Sequence, residues 1–201
     1  MNKNTLVSYG RIFFGILVIV AIITQLADGL QQERDIINFF SFFTIQSNIL
    51  AALILITVGI GALAKKKGSP QFAFLRGAAT LYMIMTGIIF ALFLSGLQQA
   101  LQTTIPWVNT VLHYIMPVVM LLDWLLYPPA QRVPFKKALW WLAYPLAYLV
   151  YSWGRGAFTH WYPYPFLNPD VNGWPIVLGT CAFIGVIITG IVKLLTRRRK
   201  A

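Results

Sequence analysis

The sequence predicts an all-α, polytopic membrane protein: a bundle of six transmembrane helices with both termini in the cytoplasm. Of its 201 residues, 58% are hydrophobic and only 10% are charged, whereas about 25% of the residues of soluble domains are charged. The hydrophobic residues occur in runs of about 20, the length that crosses a bilayer as a helix. Lys and Arg cluster in alternate linkers between these runs, as expected for cytoplasmic segments.

Six runs are long enough to cross a membrane, and together they predict one helical domain over residues 1–201. The predicted spans are 5–27, 36–63, 73–97, 104–127, 135–157 and 174–195. The first run has small residues after it, as a signal peptide does, but it is longer than the usual apolar core of about 7–15 residues. We therefore interpret it as a span.

Charge orients the predicted bundle. The basic segments are KKKGSP (65–70), the linker around Lys136 and the tail KLLTRRRK (193–200), whereas DGLQQERD (28–35) is acidic. The positive-inside rule places the basic segments in the cytoplasm. The formal net charge of +11 does not indicate a nucleic-acid partner, because the charges flank helix ends without interleaved aromatic residues. Contact with anionic lipid explains them better.

Polar residues interrupt the second span in FFTIQSNIL (42–50). Thr44, Ser47 and Asn48 are spaced at i, i+3 and i+4, so a helix places them on one face. Thr44 lies eight residues into the predicted span, at a depth of about 12 Å. Such residues often bond backbone carbonyls or join helices, so a structural role is an open alternative.

A second polar stripe lies on the fourth span, in NTVLHYIMPVV (109–119). Asn109, Thr110 and His113 share a helix face, and His113 lies nine residues in, at about 13 Å. The matching depths predict a pocket between the two helices, in the outer half of the membrane. Pro117 removes a backbone donor, and a kink there would widen the pocket. Packing is again the alternative, although a buried histidine is costly in a membrane.

Threonine and histidine together suggest ester hydrolysis. A neutral imidazole can take the proton of the Thr44 hydroxyl, which then attacks an ester carbonyl. Asn48, Asn109 and Gln46 are candidate donors to the resulting oxyanion, and Ser47 and Asn48 are further candidates for substrate binding. Metal and organic cofactors are not predicted: the chain has five acidic residues, one cysteine and two histidines.

Asp123 is too far along the fourth span to act with His113, since ten helical residues span about 15 Å. We expect it to form an ion pair with Arg11 or Arg76 that joins helices near their cytoplasmic ends.

The segment 156–175 is rich in aromatic residues and proline, which favours a stiff interfacial loop able to cover an outward-opening pocket. An aromatic belt without a catalytic role is the alternative. Arg155 is a candidate ligand for a lipid headgroup or fatty carboxylate. With two histidines, His113 and His160, the chain has enough for the axial ligands of a haem. Such ligands must face each other inside the bundle, however, and His160 falls in the loop.

Three motifs together resemble a known family: FFTIQSNIL (42–50), HYIMPVVMLLDWLLYPP (113–129) and WYPYPFLNP (161–169). In this order they are similar to the bacterial six-transmembrane relatives of the androgen-induced and androgen-dependent TFPI-regulating membrane proteins. The animal members are threonine hydrolases that cleave fatty acid esters of hydroxy fatty acids. The resemblance implies that Thr44 is the nucleophile and His113 the base, in a protein of the bacterial inner membrane.

The predicted function is therefore an intramembrane lipid ester hydrolase, an enzyme of lipid metabolism whose partners are membrane lipids and a hydrophobic ester substrate. The alternative is a non-enzymatic lipid-binding or transport protein, in which the polar stripes bind a headgroup.

Overall fold

The structure, a computed structural model, describes residues 3–66, 68–130 and 132–197. Within these ranges the secondary structure is helical and contains no strand. Residues 67 and 198–200, which belong to the basic segments used to predict the orientation, lie outside the described part. The chain packs as two compact units, Met1–Arg132 and Val133–Ala201; the single helical domain over residues 1–201 stays a prediction. The division falls in a segment that contains Pro128, Pro129 and Pro134, residues that interrupt helices.

The first unit holds four long helical stretches. Its helices are α1 (Lys3–Gln31), α2 (Ile36–Ser41), α3 (Phe43–Leu63), α4 (Pro70–Ile89), α5 (Pro106–Thr110) and α6 (Met116–Leu126). A π-helical turn, Phe90–Leu94, extends α4, and a second one, Val111–Ile115, joins α5 to α6.

Within residues 133–197, the second unit contains four α-helices and two short 3-10 helices. They are α7 (Phe135–Ala138), the 3-10 helix Leu139–Leu142, α8 (Ala143–Thr159), the 3-10 helix Pro165–Leu167, α9 (Pro169–Asn172) and α10 (Trp174–Thr196). The predicted loop 156–175 is therefore helical at its start and contains two short helices. The rings of Tyr164 and Phe166 stack within it, with centroids 5.5 Å apart.

Five helical stretches of the described residues are long and apolar enough to cross a membrane, as expected of an integral membrane protein. They are Asn4–Gln31, Phe43–Leu63, Pro70–Leu94, Pro106–Leu126 and Trp174–Thr196. The remaining predicted span, 135–157, is also helical, but in three consecutive segments. Its tryptophans, tyrosines and Arg155 make it less hydrophobic than the other five.

The second predicted span differs from the expected continuous helix. Its chain leaves the helical conformation at Phe42, where φ is −73° and ψ is 127°. The short helix α2 ends at Ser41, and α3 begins at Phe43. The expectation of eight uninterrupted helical residues before Thr44 was therefore wrong, and the depth of Thr44 in the membrane stays a prediction. Thr44 instead lies in the first turn of α3.

Small residues bring α1 and α3 close together. A Cβ atom added to Gly59 would lie 2.8 Å from the carbonyl oxygen of Ser8, and one added to Gly15 would lie 2.5 Å from Ile56. Membrane helices commonly approach through such small residues, because lipid provides little hydrophobic force between them. This contact fixes α3 against the bundle and so positions the first turn that carries Thr44.

Candidate functional site

Thr44 and His113 lie side by side in the first unit. The Thr44 hydroxyl oxygen is 3.4 Å from Nε2 of His113, and both residues are buried, with exposed fractions of 5% and 3%. The break at Phe42 produces this arrangement, since it starts α3 at the level of His113. The positive end of the α3 dipole consequently lies beside the hydroxyl, where it favours developing negative charge.

His113 occupies the middle of the second π turn. Pro117 lies four residues further on and has no N–H to donate to the carbonyl of His113, so a regular α-helix is disfavoured at this point. A π turn accommodates such an interruption, and π turns often occur at functional sites. The sequence signal was Pro117, which predicted a kink but not its form.

Hydrogen bonding defines the protonation of the imidazole. Nδ1 of His113 is 3.3 Å from the carbonyl oxygen of Asn109. A carbonyl only accepts hydrogen bonds, so in the neutral ring this contact places the proton on Nδ1. Nε2 then carries a lone pair directed to Thr44. This is the tautomer that a general base requires.

Phe90 holds the imidazole from one face. The two rings are stacked, with centroids 4.0 Å apart and an angle of 23° between their planes. Phe90 is fully buried and is the first residue of the other π turn. Sequence reasoning missed Phe90, because a phenylalanine in an apolar run carries no sign of its neighbour.

Asn48 links the two helices that carry the pair. Its amide nitrogen donates to the carbonyl of Thr44 at 2.9 Å and to that of Leu112 at 3.2 Å. Both amide hydrogens are thereby used, which leaves Asn48 an acceptor oxygen and no hydrogen for an oxyanion. Asn48 therefore positions the site, contrary to its predicted role as an oxyanion donor.

Ser47 joins α3 to α4. Its hydroxyl lies 3.2 Å from the carbonyl of Thr44 and 3.0 Å from the Thr86 hydroxyl. Thr86 in turn donates to the carbonyl of Tyr82 at 3.0 Å. Ser47 thus connects the backbone of Thr44 to α4. This structural role explains why a polar residue occurs at position 47 in the predicted stripe.

Asn109 retains unused hydrogen-bonding capacity. Its side-chain oxygen is buried and has no partner among the described residues. Asn109 lies one helical turn before His113 and binds Nδ1 through its own carbonyl. Since rotation of the amide exchanges oxygen and nitrogen, this side chain can offer either an acceptor or an N–H donor at its position. Of the three predicted oxyanion donors, Asn109 is therefore the one whose side-chain amide is best able to donate to an oxyanion.

Two other predicted polar residues serve the backbone. The Gln46 amide donates to the carbonyl of Phe40 at 2.8 Å, so one of its two amide hydrogens bridges the helix break. Thr110 is exposed and donates to the carbonyl of Pro106 at 2.9 Å. The polar stripe on the fourth span therefore consists of Asn109 and His113 without Thr110.

Asp123 lies between two arginines. Arg11 binds one carboxylate oxygen at 2.7 Å, and Arg76 binds the other at 2.8 Å through Nε and at 2.6 Å through Nη2. Arg76 also donates to the carbonyls of Asp123 and Tyr127. The carboxylate is thus fully engaged, and His113 binds a backbone carbonyl in the position where a catalytic triad would have an acid.

The remaining candidates lie in the second unit. The guanidinium of Arg155 lies over the ring of Trp161, at 4.7 Å from its centroid. His160 ends α8 in a left-handed conformation and pairs with Asp170 at 3.7 Å, with 82% of its side chain exposed. An exposed histidine of this kind differs from the enclosed axial ligand of a haem.

Comparison of the chain with protein-family models, curated proteins and solved structures finds no match. The arrangement around Thr44 therefore carries the functional argument.

Proposed function

We propose that this protein is an intramembrane hydrolase of lipid esters, with Thr44 as nucleophile and His113 as general base. The single observation that carries the proposal is the 3.4 Å approach of the Thr44 hydroxyl to Nε2 of His113. This distance is longer than a strong O–H···N hydrogen bond, but catalytic contacts often tighten only when substrate binds. The imidazole tautomer and the stacked Phe90 ring support the same assignment.

The first half-reaction forms an acyl-threonine. Nε2 of His113 takes the proton from the Thr44 hydroxyl, and the oxygen attacks the ester carbonyl carbon. The carbonyl oxygen becomes an oxyanion, which the positive end of α3 and a donor from Asn109 stabilise. His113 then returns the proton to the leaving alkoxide, the bond between carbonyl carbon and ester oxygen breaks, and the alcohol departs.

The second half-reaction restores the enzyme. His113 takes a proton from water, and the resulting hydroxide attacks the acyl carbon. The bond to Thr44 breaks, the threonine oxygen regains the proton from His113, and the fatty acid leaves. The carbonyl of Asn109 keeps Nδ1 protonated in both steps and stabilises the transient imidazolium. A dyad of this kind needs no carboxylate next to the histidine.

The membrane setting suggests the substrate class. The pair is enclosed among apolar helices, so a hydrophobic ester that reaches it laterally from the bilayer suits the site better than a soluble one. The motif resemblance to threonine hydrolases points to fatty acid esters of hydroxy fatty acids. We propose that the protein lies in a bacterial inner membrane, which it crosses with six spans that include 135–157. Both termini are then in the cytoplasm, and Thr44 and His113 lie toward the outer leaflet.

Ester turnover tests the proposal. The purified full chain in detergent is assayed on a long-chain fatty acyl ester of a hydroxy fatty acid, alongside Thr44→Ala and His113→Ala. We expect each variant to lose about 10²-fold or more of the rate. Thr57→Ala is the matched control: the Thr57 hydroxyl lies on the same helix and donates only along it, to the carbonyl of Leu53 at 2.6 Å.

A wild-type rate in Thr44→Ala would exclude the mechanism. If the wild-type protein bound such esters but hydrolysed none of them, the polar stripes would instead indicate a non-enzymatic lipid-binding or transport protein.

A further inference from the structure

A cavity of about 110 Å³ lies at the opposite end of the first unit from the acidic segment 28–35, beside Arg76. Its wall includes Ser69 and Ala73 at the start of α4, Gly68 before them, and Pro129 after α6. The volume is well above the ~10–15 Å³ that one water needs. Arg76 is itself buried, so a charged side chain forms part of the wall of a mostly apolar space.

The charges behind this wall do not balance. Arg11 and Arg76 share one carboxylate, that of Asp123, at 2.7 Å and 2.6 Å. All three side chains are largely buried, with exposed fractions of 11%, 7% and 7%. Two guanidinium groups and one carboxylate leave one positive charge in a region of low dielectric. A buried charge without a counterion is costly, so this group favours an anion next to it.

No other carboxylate of the chain can supply that counterion from within the first unit. The chain has five acidic residues. Asp28 is 17 residues along α1 from Arg11, which corresponds to about 26 Å, and Glu33 and Asp35 follow it beyond the end of α1. Asp170 belongs to the second unit, where it pairs with His160. The acidic side chains of the first unit therefore leave this charge unbalanced, and an anionic ligand in the cavity would balance it.

The polar groups of the cavity suit a phosphate. Nε and Nη2 of Arg76 already donate to Asp123 and Tyr127, which leaves the two N–H groups of Nη1 to donate to phosphate oxygens. The Ser69 hydroxyl caps α4 by accepting from the backbone N–H of Phe72 at 3.3 Å, and the same hydroxyl still has its own hydrogen to donate.

We propose that the cavity beside Arg76 binds a phosphate group, supplied either by the headgroup of an anionic membrane lipid or by free phosphate. The proposal rests on two features that lie side by side. The cavity has the buried Arg76 in its wall, and the ion cluster of Arg76 with Arg11 and Asp123 has one excess positive charge. The site is separate from Thr44 and His113 and does not depend on the hydrolase mechanism.

Binding of two probes to the full-length protein tests the proposal. Native mass spectrometry measures the affinity for phosphatidic acid against phosphatidylcholine, and thermal unfolding in detergent measures stabilisation by inorganic phosphate against chloride at equal ionic strength. We expect Arg76→Gln to weaken binding at least tenfold. Ala73→Leu fills the cavity without changing any charge and should have the same effect, so the test stands even if Arg76→Gln fails to fold.

Lys66→Gln is the matched control, since it removes one exposed positive charge near the cavity and leaves the wall intact; we expect less than a twofold change. Binding of both probes with this variant pattern would identify a phosphate site open to free anions, and binding of phosphatidic acid alone would identify a headgroup site. Equal affinity of wild type, Arg76→Gln and Ala73→Leu, or binding of neither probe, would overturn the proposal.

Discussion

The imidazole of His113 lies against the phenyl ring of Phe90, with the two centroids 4.0 Å apart. Each residue belongs to a π turn in its own helical stretch. The stack fixes the plane of the imidazole, while the carbonyl of Asn109 fixes its rotation through Nδ1. Together they direct Nε2 to the Thr44 hydroxyl, which explains how a base can be held in place without an acidic partner.

Phe90→Leu should therefore impair catalysis more than folding. Loss of the stacked ring frees the imidazole to tilt, and small misplacements of a catalytic group can cost about 10-fold to 10²-fold in rate. The free energy of unfolding should fall by only about 1–2 kcal/mol, because leucine refills much of the volume. Steady-state kinetics and thermal unfolding measure the two effects. Phe13→Leu, at a position 60% exposed on α1, is the control and should change neither.

The two asparagines should separate into different roles. Asn109→Ala removes a side chain with free hydrogen-bonding capacity, so kcat should fall by about 10²-fold while stability changes little. Asn48→Ala leaves the carbonyls of Thr44 and Leu112 without their shared donor, which should cost about 1–3 kcal/mol of stability. Kinetics and unfolding of both variants under the same conditions make the comparison. Equal kcat losses with equal destabilisation would contradict this division.

Gly87 should be sensitive to a single added methyl group. A Cβ there would lie 2.9 Å from Cβ of Pro117 and 3.6 Å from the carbonyl oxygen of His113. Gly87→Ala should push α6 away from α4, shift His113 and lower the hydrolysis rate about 10-fold or more. Gly61→Ala is the control, since a Cβ at Gly61 meets nothing within 4 Å. We expect no loss of rate in Gly61→Ala. Equal losses in both variants would contradict the claim that close packing at Gly87 positions His113.

Asp123→Asn should strongly destabilise the first unit. The substitution leaves the guanidiniums of Arg11 and Arg76 buried next to each other without a carboxylate, which should cost about 3–5 kcal/mol. Chemical unfolding in detergent measures the loss. Asp170→Asn breaks an exposed pair with His160 and should cost less than about 1 kcal/mol. Similar small effects in both variants would show that the buried cluster contributes little.

Much of the fold follows from simple properties of the sequence. Runs of about 20 apolar residues correspond to helices because backbone groups in lipid must bond within their own segment. The structure accordingly has helix in all six predicted runs, and five of these stretches have the length and hydrophobicity of a span. The sequence also predicted an ion pair of Asp123 with Arg11 or Arg76, and the structure pairs Asp123 with both.

The finer geometry of the site could not be predicted. The helix break at Phe42 occurs without proline or glycine, so no local signal marked it, and the expected continuous helix through residues 36–63 was wrong for that reason. The π turns have nearly the same apolar pattern as an α-helix, which hid the stacking of Phe90 on His113. Helical spacing placed Thr110 on the face of His113, and Gln46 was a candidate oxyanion donor, but both side chains bond neighbouring backbone carbonyls.

Covalent trapping tests the central claim most directly. The wild-type protein is incubated with a long-chain alkyl fluorophosphonate, which reacts with an activated hydroxyl, and the modified residue is identified by mass spectrometry of peptides. The account predicts a single adduct on Thr44 that His113→Ala slows about 10²-fold or more and that Thr57→Ala leaves unchanged. An adduct on another residue, or an unlabelled Thr44 in protein that hydrolyses the ester, would contradict it.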